Sequence, residues 1–435
     1  MPSTLDRRAL DRRAFDRRHF LRAAGAGAAA LGTAGALASC GNSETTEASG
    51  KREQGSGETT TLTWWDYFTL ENFQPGMTAL IEDIEAGVPD VRIRRRTFPF
   101  ADLERQITLG AVSGDLPDIA IVDNVSMNAL GGSDLLADLT ERVEEWGQAD
   151  QYYEGPWAGC QVDGKTLGIP NTSNCLALYY NTEILRSANV KPPTTWDELA
   201  AAAQRLTNGN RFGLAMSAIR TEEGVFQFLP FLWQTGGDLD TFATDGETAL
   251  AFLDDLVAKG SLSEQCVGWT QQDVNTRFVD GRAAMQINGP WQIPTLEKAA
   301  DLEWSVVALP RDKESATCLG GENWVVMASS EKQDKAWEVL EYTQRRSVLV
   351  PYLESFGNLP SRKDLADAGT WASEPAKRLF LDQLSLARPR TYGPGYPDIS
   401  RDVADAEQSV LTDSAAPSAA ARTAAGKIDE ALERR

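Results

Sequence analysis

An open α/β fold, in two domains or one large two-lobed unit, is the architecture this sequence predicts. Three observations predict it. Strand-like and helix-like segments alternate between residues 61 and 123. The chain after residue 60 is long enough for two domains or one large two-lobed unit. Hydrophobic residues make up 42% of the sequence, enough for a sizeable core.

The elements follow in order. Thr61-Leu62-Thr63-Trp64-Trp65-Asp66-Tyr67 reads as a first strand that ends in an aromatic and acidic loop. Met77, Leu80, Ile81 and Ile84 recur at helical spacing and predict a helix over 73–85. Val91-Arg92-Ile93-Arg94 is a short strand, and Leu103, Ile107 and Val112 mark a helix over 100–112. Asp118-Ile119-Ala120-Ile121-Val122 is a buried strand with Asp123-Asn124 at its carboxyl end. This β-α-β-α-β order implies an open sheet. Ligands of such sheets sit beyond the carboxyl ends of the strands, where Trp64 to Tyr67 and Asp123-Asn124 fall.

Further on, Asp163-Gly164-Lys165 turns between two short strands, and Leu176 to Tyr180 is another buried strand. Thr195-Trp196-Asp197-Glu198 is a capping box that opens a helix burying Trp196, Leu199, Ala203 and Leu206. Helices are predicted over 222–233, 246–259, 271–279 and 333–343, and strands over 283–287 and 324–327. The alanine-rich tail over 400–432 reads as helical with a break at Pro417, packed on the outside.

The first 39 residues read as an export signal. Asp16-Arg17-Arg18-His19-Phe20-Leu21-Arg22 is a basic start, and a small apolar run over 23–38 follows. That run is too short and too rich in Gly and Ala for a membrane span, which needs about 20 apolar residues. The paired arginines resemble the twin-arginine signal of bacteria, with Asp16 where that pattern has Ser or Thr. Leu37-Ala38-Ser39-Cys40 resembles a lipobox, which implies a lipid on Cys40. Residues 40–60, rich in Ser, Thr, Glu and Gly, read as a flexible tether. A lipid-anchored protein on the outer face of the cytoplasmic membrane is therefore expected.

Composition narrows the function. Without the signal's seven arginines and three aspartates, 35 basic residues face 60 acidic ones. Such a surface repels a phosphate backbone, so no nucleic-acid partner is expected. The single histidine, His19, lies in the signal. The rest of the chain therefore has no Ser-His-Asp or Cys-His arrangement and no His-ligated metal. No metal and no cofactor are expected. Cys160, Cys175, Cys266 and Cys318 form no Cys-x-x-Cys pair. An even count outside the cell favours disulfides. Cys160 and Cys175 flank the predicted hairpin and are the favoured pair, leaving Cys266 with Cys318. Four buried free thiols are the alternative.

The motifs in order resemble a family. Gly164-Lys165-Thr166-Leu167-Gly168-Ile169-Pro170 precedes Leu178-Tyr179-Tyr180-Asn181. Pro193-Thr194-Thr195-Trp196-Asp197-Glu198-Leu199 follows, and Phe278 to Met285 runs into Asn288-Gly289-Pro290-Trp291. Leu116-Pro117-Asp118-Ile119 and Lys335-Ala336-Trp337-Glu338-Val339-Leu340 fit the same set. Together they resemble the bacterial extracellular solute-binding proteins of carbohydrate importers. The resemblance implies a two-lobed periplasmic-binding-protein-like fold of type II, lobes joined by crossover strands and a ligand cleft between them. It implies a first lobe of 61–170 with 322–349 and a second of 171–319 with 350–435. It implies a monomer that delivers a sugar or oligosaccharide to an ATP-binding-cassette permease, not an enzyme. Similarity to the maltose-binding branch puts Trp291 on a sugar ring and places Asn174 where that branch has a sugar-binding glutamate.

Candidate ligand residues follow from the same reading. Sugars need flat apolar faces and planar polar groups. Of the twelve tryptophans, Trp196, Trp304 and Trp337 are assigned to packing. Trp65, Trp233, Trp269 and Trp291 lie at element ends near Asp or Gly, and for all but Trp291 the cleft and the core are equally good readings. Asp66, Asp123, Asn124 and Asn174 are polar candidates, with Glu322 and Trp324 at the start of a strand and Arg362 and Tyr396 in later loops. Two rivals remain open. One is an extracellular glycosidase built on two of Asp66, Asp123 and Glu322. The other is the same fold binding a peptide, a polyamine or a phosphorylated polyol. The aromatic candidates and the lack of an anion-binding motif favour a neutral sugar.

Overall fold

The computed structural model describes residues 58–433. The expected signal, Cys40 and the tether up to residue 57 lie outside the described residues. Two main sheets are built from β1 (Thr60–Asp66), β2 (Val91–Thr97), β3 (Ile119–Asp123), β4 (Ile169–Pro170), β5 (Ala177–Asn181), β6 (Phe212–Ala215), β7 (Ala283–Asn288), β8 (Trp304–Val307) and β9 (Glu322–Val326). The helices used below are α1 (Gln74–Gly87), α2 (Phe100–Ser113), α3 (Trp196–Leu206), α4 (Glu222–Gln234), α5 (Glu247–Ala258), α6 (Gln271–Val279), α7 (Gln333–Thr343), α8 (Arg346–Phe356), α9 (Tyr396–Leu411) and α10 (Pro417–Leu432).

The first sheet runs β2-β1-β3-β9-β4 and the second β8-β5-β7-β6. β1 is parallel to β2 and β3, as the β-α-β-α-β order requires. β9 is antiparallel to β3 and β4 and lies between them. In the second sheet β5 is antiparallel to β7 and β8, and β6 is parallel to β7. The chain therefore leaves the first sheet after Pro170, builds the second, and returns at Glu322. Register sets the site. Asp123 at the carboxyl end of β3 pairs directly with Glu322, the first residue of β9.

Both sheets are buried on their inner faces. Trp64 of β1 and Trp324 of β9 meet edge to face at 4.6 Å in one core. α8 belongs to that core: Val348, Leu349, Tyr352, Leu353 and Phe356 pack with Met77, Leu80 and Ile84 of α1. This single helix runs across the lobe boundary expected at 349–350. A second core joins Trp196, Phe228, Trp233 and Leu253 to the inner side of β6 and β7.

Some local expectations hold and others change. The tail forms α9 and α10: α10 packs on the outside as expected, with Arg422, Thr423, Lys427, Asp429 and Glu430 exposed, whereas α9 beneath it is mostly buried. Ala420, Ala421, Ala424 and Ile428 pack with Val403 and Leu411 inside the second core, because alanine faces let two helices approach closely. Thr195 caps α3 by accepting from the Glu198 amide at 3.3 Å, and the Glu198 carboxylate reaches back chiefly to Thr194, accepting from its backbone N–H at 2.8 Å and its hydroxyl at 2.7 Å. The cysteines are corrected too. Cys160, Cys175, Cys266 and Cys318 are all buried free thiols, and neither expected disulfide forms. Cys160 donates to Asn323 Oδ1 of β9, while Cys175 faces the Phe380 carbonyl. Flanking one hairpin in sequence did not bring their sulfurs together. Burial pushes the Cys160 and Cys175 thiols up, and the Cys318 thiol up to about 12, so none is a reactive thiolate at neutral pH.

Candidate functional site

The cavity follows from where the strands end. β3 is apolar until Asp123, and β9 begins with Glu322, so the two carboxyls face each other at one sheet edge. Two glycines make the approach possible. Gly321 has φ +143°, and a Cβ there would lie 2.2 Å from the Thr172 carbonyl oxygen. A Cβ on Gly320 would lie 2.1 Å from Asn174 Oδ1. Without side chains at 320 and 321, the strand approach lies flat on residues 171–174 and places Asn174 and Glu322 on one wall.

The opposite wall comes from the second sheet's side. α4 opens with Glu222 and Glu223. α6 opens behind Thr270, whose hydroxyl and Asp273 form a reciprocal cap. Glu223 accepts from the Gln271 amide at 2.9 Å, a carboxylate at a helix N-terminus where the helix dipole favours it. At the end of β7, Asn288 donates to the Gln271 carbonyl at 2.9 Å and so ties the Asn-Gly-Pro-Trp turn to α6. The turn at Pro290–Gln292 then holds Trp291 half-buried, its ring centroid 6.3 Å from that of Phe226.

These walls enclose a cavity of about 290 Å³. That is near the lower end of the roughly 300–1,000 Å³ of small-molecule clefts. Tyr67, Phe100, Phe226 and Trp291 give it flat apolar faces. Its polar groups are networked. Tyr67 donates its hydroxyl to Glu322 Oε1 at 3.0 Å, and Thr172 donates to Glu322 Oε2. Arg390 donates to Glu222, to Asn124 Oδ1 at 3.1 Å and to Asp123 Oδ1 at 3.4 Å. Tyr396 donates to Glu222 at 2.7 Å.

Burial first, and then the Asp123 charge, push the Glu322 carboxyl up to about 8. Burial also raises Asp123, against the pull of Arg390. Gln272, Gln292 and Asn358 line the cavity, and each holds a buried side-chain oxygen without a donor. The side-chain amide of Asn174 forms no hydrogen bond among the described residues, although its backbone N–H donates to the Gly320 carbonyl at 3.0 Å. Unsatisfied buried polar atoms each cost about 1–3 kcal/mol, so this wall is built for a polar occupant.

A family model described as bacterial extracellular solute-binding protein matches residues 79–378. The chain belongs to that family. This solute-binding protein is 26% identical to an ABC transporter solute-binding protein of Thermotoga lettingae bound with α-D-tagatose, at a TM-score of 0.80 over 86% of this chain and 99% of that one. It is 25% identical to a lactose-binding protein of Rhizobium radiobacter over 65% of this chain and 69% of the relative. It is 22% identical to a galactooligosaccharide-binding protein of Bacillus subtilis over 90% and 94%. The fold is the periplasmic-binding-protein-like α/β fold with its cleft between two sheets.

The solute-binding protein's cavity contains four of the residues singled out in the sequence: Asp123, Asn174, Trp291 and Glu322. Asn124 and Tyr396 stand behind it, bonded to Arg390 and Glu222. The other six are buried in the interior and do not line this cavity. Asp66 is enclosed by Arg95 at 2.6 and 2.7 Å, by the Trp64 indole at 3.0 Å and by the Phe68 backbone amide at 2.9 Å, which together use up its lone pairs. Trp65 packs on Phe98, Trp324 on Trp64, and Trp233 donates to Asp238 at 3.1 Å. Trp269 lies beneath Arg277 at 3.9 Å, and Arg362 grips Asp364 with two 2.9 Å bonds.

Sequence reasoning placed Tyr67 in the ligand region beyond β1 without naming it as a candidate, and it missed Glu222, Gln271, Gln292, Asn358 and Arg390. Tyr67 closes the loop already flagged after β1, and Gln292 directly follows Trp291, so both carried a positional signal. Arg390 and Asn358 carried none, because only tertiary folding brings their loops to the cleft.

Proposed function

We propose that this protein captures a sugar or oligosaccharide in the cleft and delivers it to the permease of an ATP-binding-cassette importer, working as a monomer held to the outer face of the membrane by a lipid on Cys40. The observation that carries the reading is the half-buried Trp291 in a cavity also lined by Asn174, Gln272, Gln292, Asn358 and the carboxyls of Asp123 and Glu322. An aromatic face takes the C–H side of a sugar ring, and planar amides and carboxyls take its hydroxyls. Relatives whose names state lactose and galactooligosaccharide binding support the ligand class.

In this reading the first lobe is 61–170 with 322–349, continued to the end of α8, and the second lobe takes the remainder. Ligand closes the two upon the cleft, with Tyr67, Asp123 and Glu322 from one and Asn174, Glu222, Gln271 and Trp291 from the other.

The test is a calorimetric panel of mono- and oligosaccharides on the purified protein. Saturable binding of at least one sugar without its cleavage is the expected result. Cleavage of the sugar, or binding of none, contradicts the reading. The anchor has its own test: Cys40→Ala should release the protein into the medium or leave it unprocessed. Unchanged processing and membrane attachment would refute the lipid.

A further inference from the structure

The cleft is short of positive charge. Glu222, Glu223, Asp123 and Glu322 line the main cavity. An adjoining chamber of about 260 Å³ shares Tyr67, Phe100, Asp123 and Glu222 with it and adds Glu104. Against these five carboxyls stands one guanidinium, Arg390, already bonded to Glu222 and Asp123. Among the described residues Glu104, Glu223 and Glu322 form no ion pair. Glu104 and Glu223 have only a hydroxyl and a backbone amide as donors. Desolvated carboxylates without a countercharge are costly, and a cleft lined by one sign of charge attracts the other.

A second feature points the same way. Gln292 and Asn358 line the cavity, and each carries a buried side-chain oxygen without a donor. For Gln292 the amide nitrogen already faces the Gln271 carbonyl at 3.4 Å and Asn288 Oδ1 at 3.5 Å, so the vacant atom is the acceptor. The wall therefore asks for donors. The π faces of Tyr67, Phe100 and Trp291 suit a cation as well as a C–H surface.

We propose that the sugar filling this cleft is basic, carrying at least one ammonium group, so that the substrate class is amino sugars rather than neutral sugars. This rests on the sugar-binding reading above. An ammonium supplies three donors and no acceptor, and it brings the missing countercharge to Glu223 and Glu322. A neutral hydroxyl supplies one donor and no charge. Tyr67, Asp123, Arg390 and Tyr352 are the titratable groups that surround Glu322. An ammonium there opposes the burial that keeps its carboxyl protonated, so binding releases protons near neutral pH.

The test uses calorimetry on the lipid-free mature chain at about pH 7, where sugar amines are largely protonated. Isosteric sets are compared in the gluco and galacto series, as monosaccharides and disaccharides: hexose, hexosamine, N-acetylhexosamine. Within each set that binds, the hexosamine should bind at least tenfold tighter than both neutral partners. Its binding should release protons, read from the dependence of heat on buffer ionisation. Glu223→Gln should cut the hexosamine preference several-fold. If that variant fails to fold, the wild-type isostere comparison decides alone. Equal or tighter binding of the neutral sugars overturns the amino-sugar inference and leaves sugar binding standing. Binding of spermidine alone, or of no sugar in any set, overturns the sugar reading itself.

Discussion

Trp324 within an inner strand of the first sheet and Trp291 just past an inner strand of the second are the same residue type, and they do opposite things. Trp324 is the third residue of β9, fully buried and edge to face with Trp64. Trp291 follows β7 by three residues, half-exposed in a turn and facing the cavity. Two residues upstream of Trp324, Glu322 already belongs to the cleft. The boundary between core and site is therefore crossed within one strand. What separates the two regions is closure, not residue chemistry: β3 and α8 cover Trp324, and nothing covers the cavity side of Trp291.

The sharpest way to break that comparison is to remove the buried ring. Trp324→Ala should cost about 3–5 kcal/mol of folding free energy in urea denaturation. Sugar affinity of the folded fraction should be little changed. A loss under about 1 kcal/mol would mean that the ring is not core. Trp196→Ala, which removes a ring stacked on Phe252 at 4.3 Å, should behave in the same way.

Glu322 sharpens the comparison through pH. Its carboxyl is held near 8 in the folded protein against an ordinary 4.5. A raised folded value means that the folded state prefers the proton. The stability it contributes is complete below about 4.5 and is lost as pH rises through about 8. Wild type should therefore lose stability between those values, and Glu322→Gln should flatten that loss. Melting temperatures across the window check it. Parallel curves for the two proteins would place Glu322 outside the buried cluster.

A smaller effect concerns Glu407 of α9. It is buried with neither carboxyl oxygen hydrogen-bonded, and burial raises it well above the usual carboxylate range. Glu407→Leu should stabilise the protein by roughly 1–3 kcal/mol at neutral pH, since an unpartnered buried carboxyl is replaced by packing. Destabilisation would reveal a partner for the carboxylate.

Much of the first sheet was legible because its strands and helices alternate with clean periods. The expected helix over 271–279 coincides with α6, and that over 333–343 with α7. α8 was missed because its apolar residues are interrupted by Pro351, and β6 because four residues around a glycine carry too little pattern. In the site, Asp123 was legible from its place at the end of an apolar strand, and Trp291 from its motif. Trp233 and Trp269 share those signals, an aromatic near an element end beside Asp or Gly, but end in the core. Element ends occur on both faces of a sheet, and sequence does not say which face is covered. Arg390 joins the site from 267 residues beyond Asp123, a distance at which local pattern holds no information.

The most direct test of a sugar cleft walled by Trp291 is one titration. Wild type and Trp291→Ala are measured side by side by calorimetry against the sugar that the panel identifies, with melting temperatures of the ligand-free proteins as the control. An aromatic anchor in a binding site is worth more than about 1 kcal/mol, so affinity should fall by about tenfold or more while the melting temperature stays close to that of wild type. Unchanged affinity, or a variant that loses its fold as Trp324→Ala should, would contradict the account.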